Sequence, residues 1–328
     1  MKKAKRARYL VTGAAGFIGS NVSGQLLAAG HEVVGIDNLN DAYDPRLKQW
    51  RLERLKGREG FTFRHADIAD GRSLARACSG TFAGAIHLAA RAGVRQSIEN
   101  PQAYIDANIT GTLNVLKLCE KRGIGKFVLA STSSLYGDSS KPQFSEDDAT
   151  DRPISPYAAS KKAAESFAHT YHHVAGIDVT VVRYFTVYGP GGRPDMSLFR
   201  FVQRISEGRP ITVFGDGEQS RDFTFVDDIA AGTIAGLKPL GYEVINLGSD
   251  APVTVNHAIA TIEALVDKKA IREVQPRHPA DVAATWANIS KARLLLGWRP
   301  KTSFHDGVAA LVRWYQENRS WAKDVKTG

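Results

Sequence analysis

Two cysteines in 328 residues leave no material for a disulfide scaffold. Cys78 and Cys119 are far apart and show no metal-ligand spacing, so two inert buried thiols are expected. Long apolar runs are missing, and with them any segment that reads as a membrane span. A signal-peptide pattern is also missing, and the expectation is a soluble, cytoplasmic protein. Low-complexity stretches and internal repeats are lacking, which excludes linker-rich and solenoid architectures. Acids fall short of bases, 34 against 43, for a net charge of +9. Part of that excess is the run Lys2, Lys3, Lys5, Arg6 and Arg8, which reads as a solvated tail. No nucleic-acid module accompanies it, so a phosphorylated metabolite is the expected anionic partner, with neither nucleic acid nor membrane.

What is present is ordered. Residues 8–12 read as a short buried strand, followed by Gly13-Ala-Ala-Gly16-Phe17-Ile18-Gly19 and a helical run to about Ala29. Strand, glycine turn and helix in that order are the context of a dinucleotide site. Gly13 permits the turn, Gly16 lets a pyrophosphate approach the backbone, and Gly19 lets the helix close on the strand. A second strand over His31–Ile36 ends at Asp37, whose carboxylate suits the adenosine ribose hydroxyls and would repel a 2′-phosphate. NAD is therefore expected rather than NADP. Strand patterns recur at 61–66, 83–88, 126–130 and 179–184, separated by helical runs that include 102–121 and a helix from Tyr157 to about Ala175. This alternation predicts an α/β fold: a Rossmann-type doubly wound parallel sheet, ligands at the carboxyl ends of its strands.

Past Thr186 the alternation stops. Gly189–Pro194 reads as a loop, and 244–248 as a strand returning to the main sheet. The expected division is 1–186, with a strand near 242–250, as the NAD-binding domain. Residues 187–241 and 251–328 would form a smaller mixed α/β C-terminal lobe for the substrate.

Tyr157 and Lys161 lie four residues apart in a helix-forming run and so share one face. A phenol beside an ammonium can serve as a general base near pH 7. Tyr136, with no lysine at that spacing, reads as packing.

Nine strings now stand in order: Thr12–Gly19, Asp37-Asn38, Asp67-Ile68, His87-Leu88-Ala89-Ala90, Asn108–Thr112, Ser131–Gly137, Ser155–Lys161, Arg183–Pro190 and Arg221–Asp228. Together they resemble the extended short-chain dehydrogenase/reductase family, the nucleotide-sugar epimerases and dehydratases, over Tyr9 to about Trp314. The resemblance implies that Gly13, Gly16, Phe17, Ile18, Gly19, Asp37, Asn38, Asp67, Ile68, Leu88, Ala89, Ala90, Asn108, Tyr157, Lys161 and Tyr184 hold the cofactor. It implies catalysis by Tyr157 and Lys161 with Thr132, whose hydroxyl would bond the sugar O4, and no metal.

Dehydratases and decarboxylases of this family usually carry an acid one or two places after that threonine. Ser133 and Ser134 stand there instead, which disfavours both reactions. Phe185–Met196 is similar to the string of UDP-glucuronate 4-epimerases, with Thr186 where UDP-glucose 4-epimerases commonly carry Asn. Thr132, Ser133, Ser134 and Thr186 would then cradle a sugar carboxylate. Arg193 and Arg200, seven apart and expected on one helix face, would add charge near the carboxylate or diphosphate. By the same resemblance Arg221 and Arg277 grip the diphosphate, Asp281 the uridine ribose, and the Val213-Phe214 strand the uracil. The implied substrate is a UDP-sugar, UDP-glucuronate or UDP-galacturonate. UDP-glucose epimerisation, decarboxylation or dehydration, and NAD sensing without chemistry are the alternatives. Family members often dimerise through the 102–121 and Tyr157 helices, where Ala158, Ala159, Ala163, Ala164 and Ala168 permit close packing, so a homodimer is expected.

Overall fold

A computed structural model describes residues 6–138, 141–276 and 282–327. Seven strands form its main sheet: β1 (Arg8–Thr12), β2 (Glu32–Asp37), β3 (Phe61–His65), β4 (Gly84–His87), β5 (Lys126–Thr132), β6 (Asp178–Tyr184) and a last strand, Tyr242–Leu247. Their spatial order is Tyr242–Leu247, β6, β5, β4, β1, β2, β3, and every pairing is parallel. A parallel sheet covered on both faces needs apolar side chains on both. Successive residues of β1 supply them: Leu10 joins one core cluster and Val11 the other, both fully buried. Full burial of such a side chain contributes roughly 1.5–3 kcal/mol.

From β1 the chain steps outward through β2 and β3, then returns to the other side of β1 as β4. The carboxyl ends of β1 and β4 therefore diverge around a crevice, the place where such sheets bind ligands. Pro156–Ala175 is the longest helix, capped by Ser155, whose Oγ accepts from the Ala158 N–H at 3.2 Å, and closed by Gly176 in the left-handed region. The helical run expected over 102–121 is interrupted: Ile105–Thr110 is a π turn between Pro101–Tyr104 and Gly111–Arg122. An extra residue per turn there swings Asn108 inward, where it is buried.

The rest gathers round a third core cluster built on Phe199, Val202, Ile259, Leu311 and Trp314. Short strand pairs frame it. Thr186–Tyr188 runs parallel to Phe223–Phe225, and Ile211–Phe214 parallel to Arg272–Gln275. Leu47, on the helix Pro45–Glu53 that follows β2, is buried in this same cluster. Cys78 and Cys119 are free and buried, and burial pushes their thiols up to about 11 and about 12. Among the described residues no helix is long and apolar enough to cross a membrane, and no three potential metal ligands cluster.

Candidate active site

The glycine turn is built to the limit of contact. Gly13 has φ +72°, and a Cβ there would meet the Ala89 nitrogen at 2.7 Å. A Cβ at Gly19 would meet the Gly13 carbonyl oxygen at 2.0 Å. The first helix, Phe17–Ala28, starts without a side-chain cap or an acid in its first turn, so its leading N–H groups and positive dipole end stay open to an anion. At the end of β2, Asp37 Oδ2 accepts from the Ala15 N–H at 3.2 Å and Oδ1 from the Leu39 N–H at 2.8 Å. Asn38 Nδ2 donates to Asp67 Oδ2 at 2.9 Å, and Ile68 packs into the core. Open helix amides, contact-tight glycines and a fixed carboxylate fit a dinucleotide.

Between the glycine turn and the long helix runs a directional polar chain. Thr112 Oγ1 donates to the Asn108 carbonyl at 2.6 Å, so it must accept from His87 Nε2 at 3.1 Å. Burial, aided by the charge of Lys161, pushes His87 down to about 3, so the ring is neutral. Its Nδ1 then accepts from Thr12 Oγ1 at 2.7 Å, and Thr12 in turn accepts from the Ala89 N–H at 3.2 Å. Asn108 also clasps Arg91, taking its N–H and giving to its carbonyl, and donates to Ser160 Oγ at 2.9 Å. Ser160 completes the link by donating to the Tyr157 carbonyl at 2.8 Å.

Tyr157 and Lys161 stand one turn apart on the long helix, as their spacing predicts. Thr132 ends β5 and caps the following turn, its Oγ1 accepting from the Ser134 N–H at 3.1 Å. Its hydroxyl also acts on the Tyr157 phenol. Burial pushes the Tyr157 phenol up on balance, while Thr132 and the charge of Arg193 pull it down. Lys161 is pushed down to about 8 by burial, opposed by Glu165 one turn further on. Arg193, which the sequence reading placed at the substrate, thus also adds positive charge at the phenol. Glu165 is itself buried, accepting from Ser131 Oγ at 2.5 Å and from Arg183 Nε and Nη2 at 3.0 and 2.8 Å.

Arg193 does not share a helix face with Arg200. The helix spans Ser197–Ser206 and contains Arg200 but not Arg193, which lies in the glycine-rich segment before it. Arg193 Nη2 donates to the Ala92 carbonyl at 3.1 Å and pairs with Asp195. Arg200 is half-buried, and burial together with Arg204 and Arg95 lowers its pKa. Ser133, Ser134 and Thr186 are partly exposed.

Val213 is buried in the lobe core, whereas Phe214 carries the Arg95 guanidinium 4.7 Å above its ring. Arg221 Nη1 donates to the Ser220 carbonyl at 2.8 Å. Tyr184 donates its hydroxyl to Thr233 Oγ1 at 2.8 Å, since Thr233 itself donates to the Ile229 carbonyl. Arg277 and Asp281 fall outside the described residues.

Sequence reasoning assigned no role to Lys48, Arg51, Arg95 or Glu165, and His87 and Ser160 stood in its motif strings without one. Asp44-Pro45 marks a helix start, and Lys48 and Arg51, three apart, share one of its faces. That was a readable signal, but of position and not of burial.

The model of the NAD dependent epimerase/dehydratase family matches residues 9–248. The chain is 56% identical over 320 residues to the UDP-glucuronate 4-epimerase of Thermodesulfobacterium geofontis, covering 97% of this chain and 99% of that one. Among solved structures it resembles UDP-glucuronic acid 4-epimerase from Bacillus cereus in complex with UDP-glucuronic acid and NAD. That match has TM-score 0.88 and 38% identity over 95% of this chain and 99% of the other. UDP-glucose 4-epimerase from Thermotoga maritima, with UDP-glucose, gives TM-score 0.87 and 30% identity over 95% and 99%. A model match across most of the chain and relatives aligned nearly end to end mean that the protein belongs to the NAD dependent epimerase/dehydratase family.

Proposed function

We propose that the chain is an NAD-dependent UDP-sugar 4-epimerase that interconverts UDP-glucuronate and UDP-galacturonate through a 4-keto sugar. The observation that carries this is the placing of Tyr157 and Lys161 one turn apart on the long helix, with Thr132 at the end of β5 and the open amino end of the first helix at the glycine turn. NAD, held at Gly13–Gly19 and Asp37, supplies the reversible hydride acceptor for sugar C4. Tyr157 removes the proton of the 4-hydroxyl and later restores it, with Thr132 fixing O4. Lys161 holds the nicotinamide ribose and keeps positive charge near the phenol. Between the two half-reactions the sugar turns about its diphosphate linkage and presents its other face.

A 4-keto sugar with a carboxylate on C5 is a β-keto acid, prone to lose carbon dioxide when the carboxylate bond aligns with the carbonyl π system. Thr132, Ser133, Ser134 and Thr186 would hold the carboxylate out of that alignment, which is control by positioning. The 3.1 Å bond between Thr132 Oγ1 and Ser134 Oγ supports this role, because it shows two of these hydroxyls converging. Arg193 and Arg200 add charge at the carboxylate or diphosphate. Arg221, Arg277 and Asp281 hold the nucleotide, with Phe214 and the backbone of Val213 along the uracil. Residues 1–186 with the strand near 242–250 carry the cofactor, and 187–241 with 251–328 carry the substrate.

Product analysis with UDP-glucuronate tests the reading. UDP-galacturonate is expected, absent in Tyr157→Phe, which should still bind NAD. A pentose product would mean decarboxylation, and turnover of UDP-glucose alone would mean a UDP-glucose 4-epimerase. We also propose a cytoplasmic homodimer, paired through Gly111–Arg122 and Pro156–Ala175. Ile105 and Val174, apolar and exposed near those helices, motivate the pairing. A monomeric mass in sedimentation, or recovery with membranes, would count against it.

A further inference from the structure

The helix Pro45–Glu53 lies between the cofactor turn and the sugar-site loop, and Arg51 on it is the most completely engaged side chain there. The residue is 1% exposed. A guanidinium has five N–H donors. Nε donates to the Gly191 carbonyl at 2.9 Å; Nη2 donates to the Gly191 carbonyl at 2.7 Å and the Gly192 carbonyl at 3.1 Å. Nη1 donates to the Tyr43 hydroxyl at 2.6 Å and to the Ala15 carbonyl at 3.4 Å. All five donors are used, and every acceptor is neutral. The rings of Phe17 and Tyr43 flank the charge at 5.6 and 5.3 Å. No carboxylate of the described residues pairs with it.

Two consequences follow from this bonding. Ala15 belongs to the glycine turn, and Gly191-Gly192 immediately precede Arg193, so one side chain ties the two sites together. Gly191 also sits against Trp50, where a Cβ would come within 2.5 Å of the indole, and its φ is +62°. Leu47 and Trp50 anchor the same helix in the lobe, Trp50 meeting Trp314 edge-on at 5.4 Å. Lys48 ties it to Asp37 at 3.4 Å. Second, a buried charge satisfied only by neutral dipoles is costly. A dinucleotide pyrophosphate at the open end of the first helix would bring the missing negative charge.

We propose that Arg51 is a positioning residue that couples filling of the dinucleotide site to ordering of the Gly189–Pro194 loop, so that NAD and the nucleotide sugar bind with positive cooperativity. The identity of the two ligands rests on the function proposed above. Such coupling is reciprocal: each ligand tightens the other by the same factor.

The test compares NAD-loaded and NAD-stripped protein by hydrogen exchange over 189–196 and by calorimetric titration with UDP. In the unaltered protein NAD should slow exchange in that segment, and UDP should bind about tenfold tighter when NAD is present. In Arg51→Met both differences should shrink to less than about threefold, with UDP affinity of the stripped protein little changed. Gly191→Ala, which pushes the loop off Trp50 while leaving Arg51 in place, should reduce the coupling in the same way and serves if Arg51→Met does not fold. Unaltered coupling in a folded variant, or no effect of NAD on the loop of the unaltered protein, overturns the proposal. A protein that shows the coupling yet makes no UDP-galacturonate would instead refute the substrate assignment.

Discussion

Arg193 and Tyr157 come from different parts of the fold, one from the turn after Gly192 and the other from the long helix. Yet the charge of the guanidinium reaches the phenol and, against the upward push of burial, favours its ionised form. Asp195 holds Arg193 above its ordinary pKa despite burial, so this charge is permanent across the working pH range.

Removing that charge should make the base harder to ionise. Arg193→Gln is expected to move the acidic limb of the kcat/KM profile upward by about one pH unit, the usual effect of an opposite charge at close range. A profile measured from pH 5 to 10 checks this; an unmoved limb would assign Arg193 to substrate alone.

Lys161 should cost stability while serving the reaction. Its pKa is 10.5 when unfolded and about 8 when folded. Below pH 8 both states hold the proton and the burial penalty is complete. Between pH 8 and 10.5 the unfolded chain holds more protons, so stability rises with pH, and above that range the penalty is gone. Lys161→Met should therefore abolish turnover and stabilise NAD-free protein by about 2–3 kcal/mol at pH 7, with roughly no gain at pH 10.5. Denaturant titrations at the two pH values decide it.

The Glu165–Arg183 pair predicts strong non-additivity. Each side chain is only 4% exposed. Glu165→Gln leaves Arg183 buried without its partner and should cost about 3–5 kcal/mol. Replacing both, as Glu165→Leu with Arg183→Met, should recover most of that loss, because two desolvation penalties disappear together. Equal damage from the single and double changes would contradict the pairing argument. Glu165→Gln should also let burial drive Lys161 lower, moving the alkaline loss of activity to lower pH.

Local patterns made much of this site legible. Gly13, Gly16 and Gly19 announced a turn that the structure fills to contact, and the strand endings marked Asp37, Thr132 and the crevice. Tyr157 and Lys161 could be placed on one face because helix geometry fixes residues four apart. Pairings across the fold were not legible. Nothing local says that Arg51 reaches Gly191, or that Arg193, from a loop, adds its charge at the phenol. The π turn that brings Asn108 inward was hidden too, since its residues have the composition of an ordinary helix.

Cys78 and Cys119 offer an experimental convenience. Thiols sealed in the core and held mostly protonated at neutral pH react slowly with maleimides. A single cysteine introduced on the surface can therefore carry a fluorophore or spin label without first editing the native pair, and motions around the crevice become open to spectroscopy in the otherwise unaltered chain.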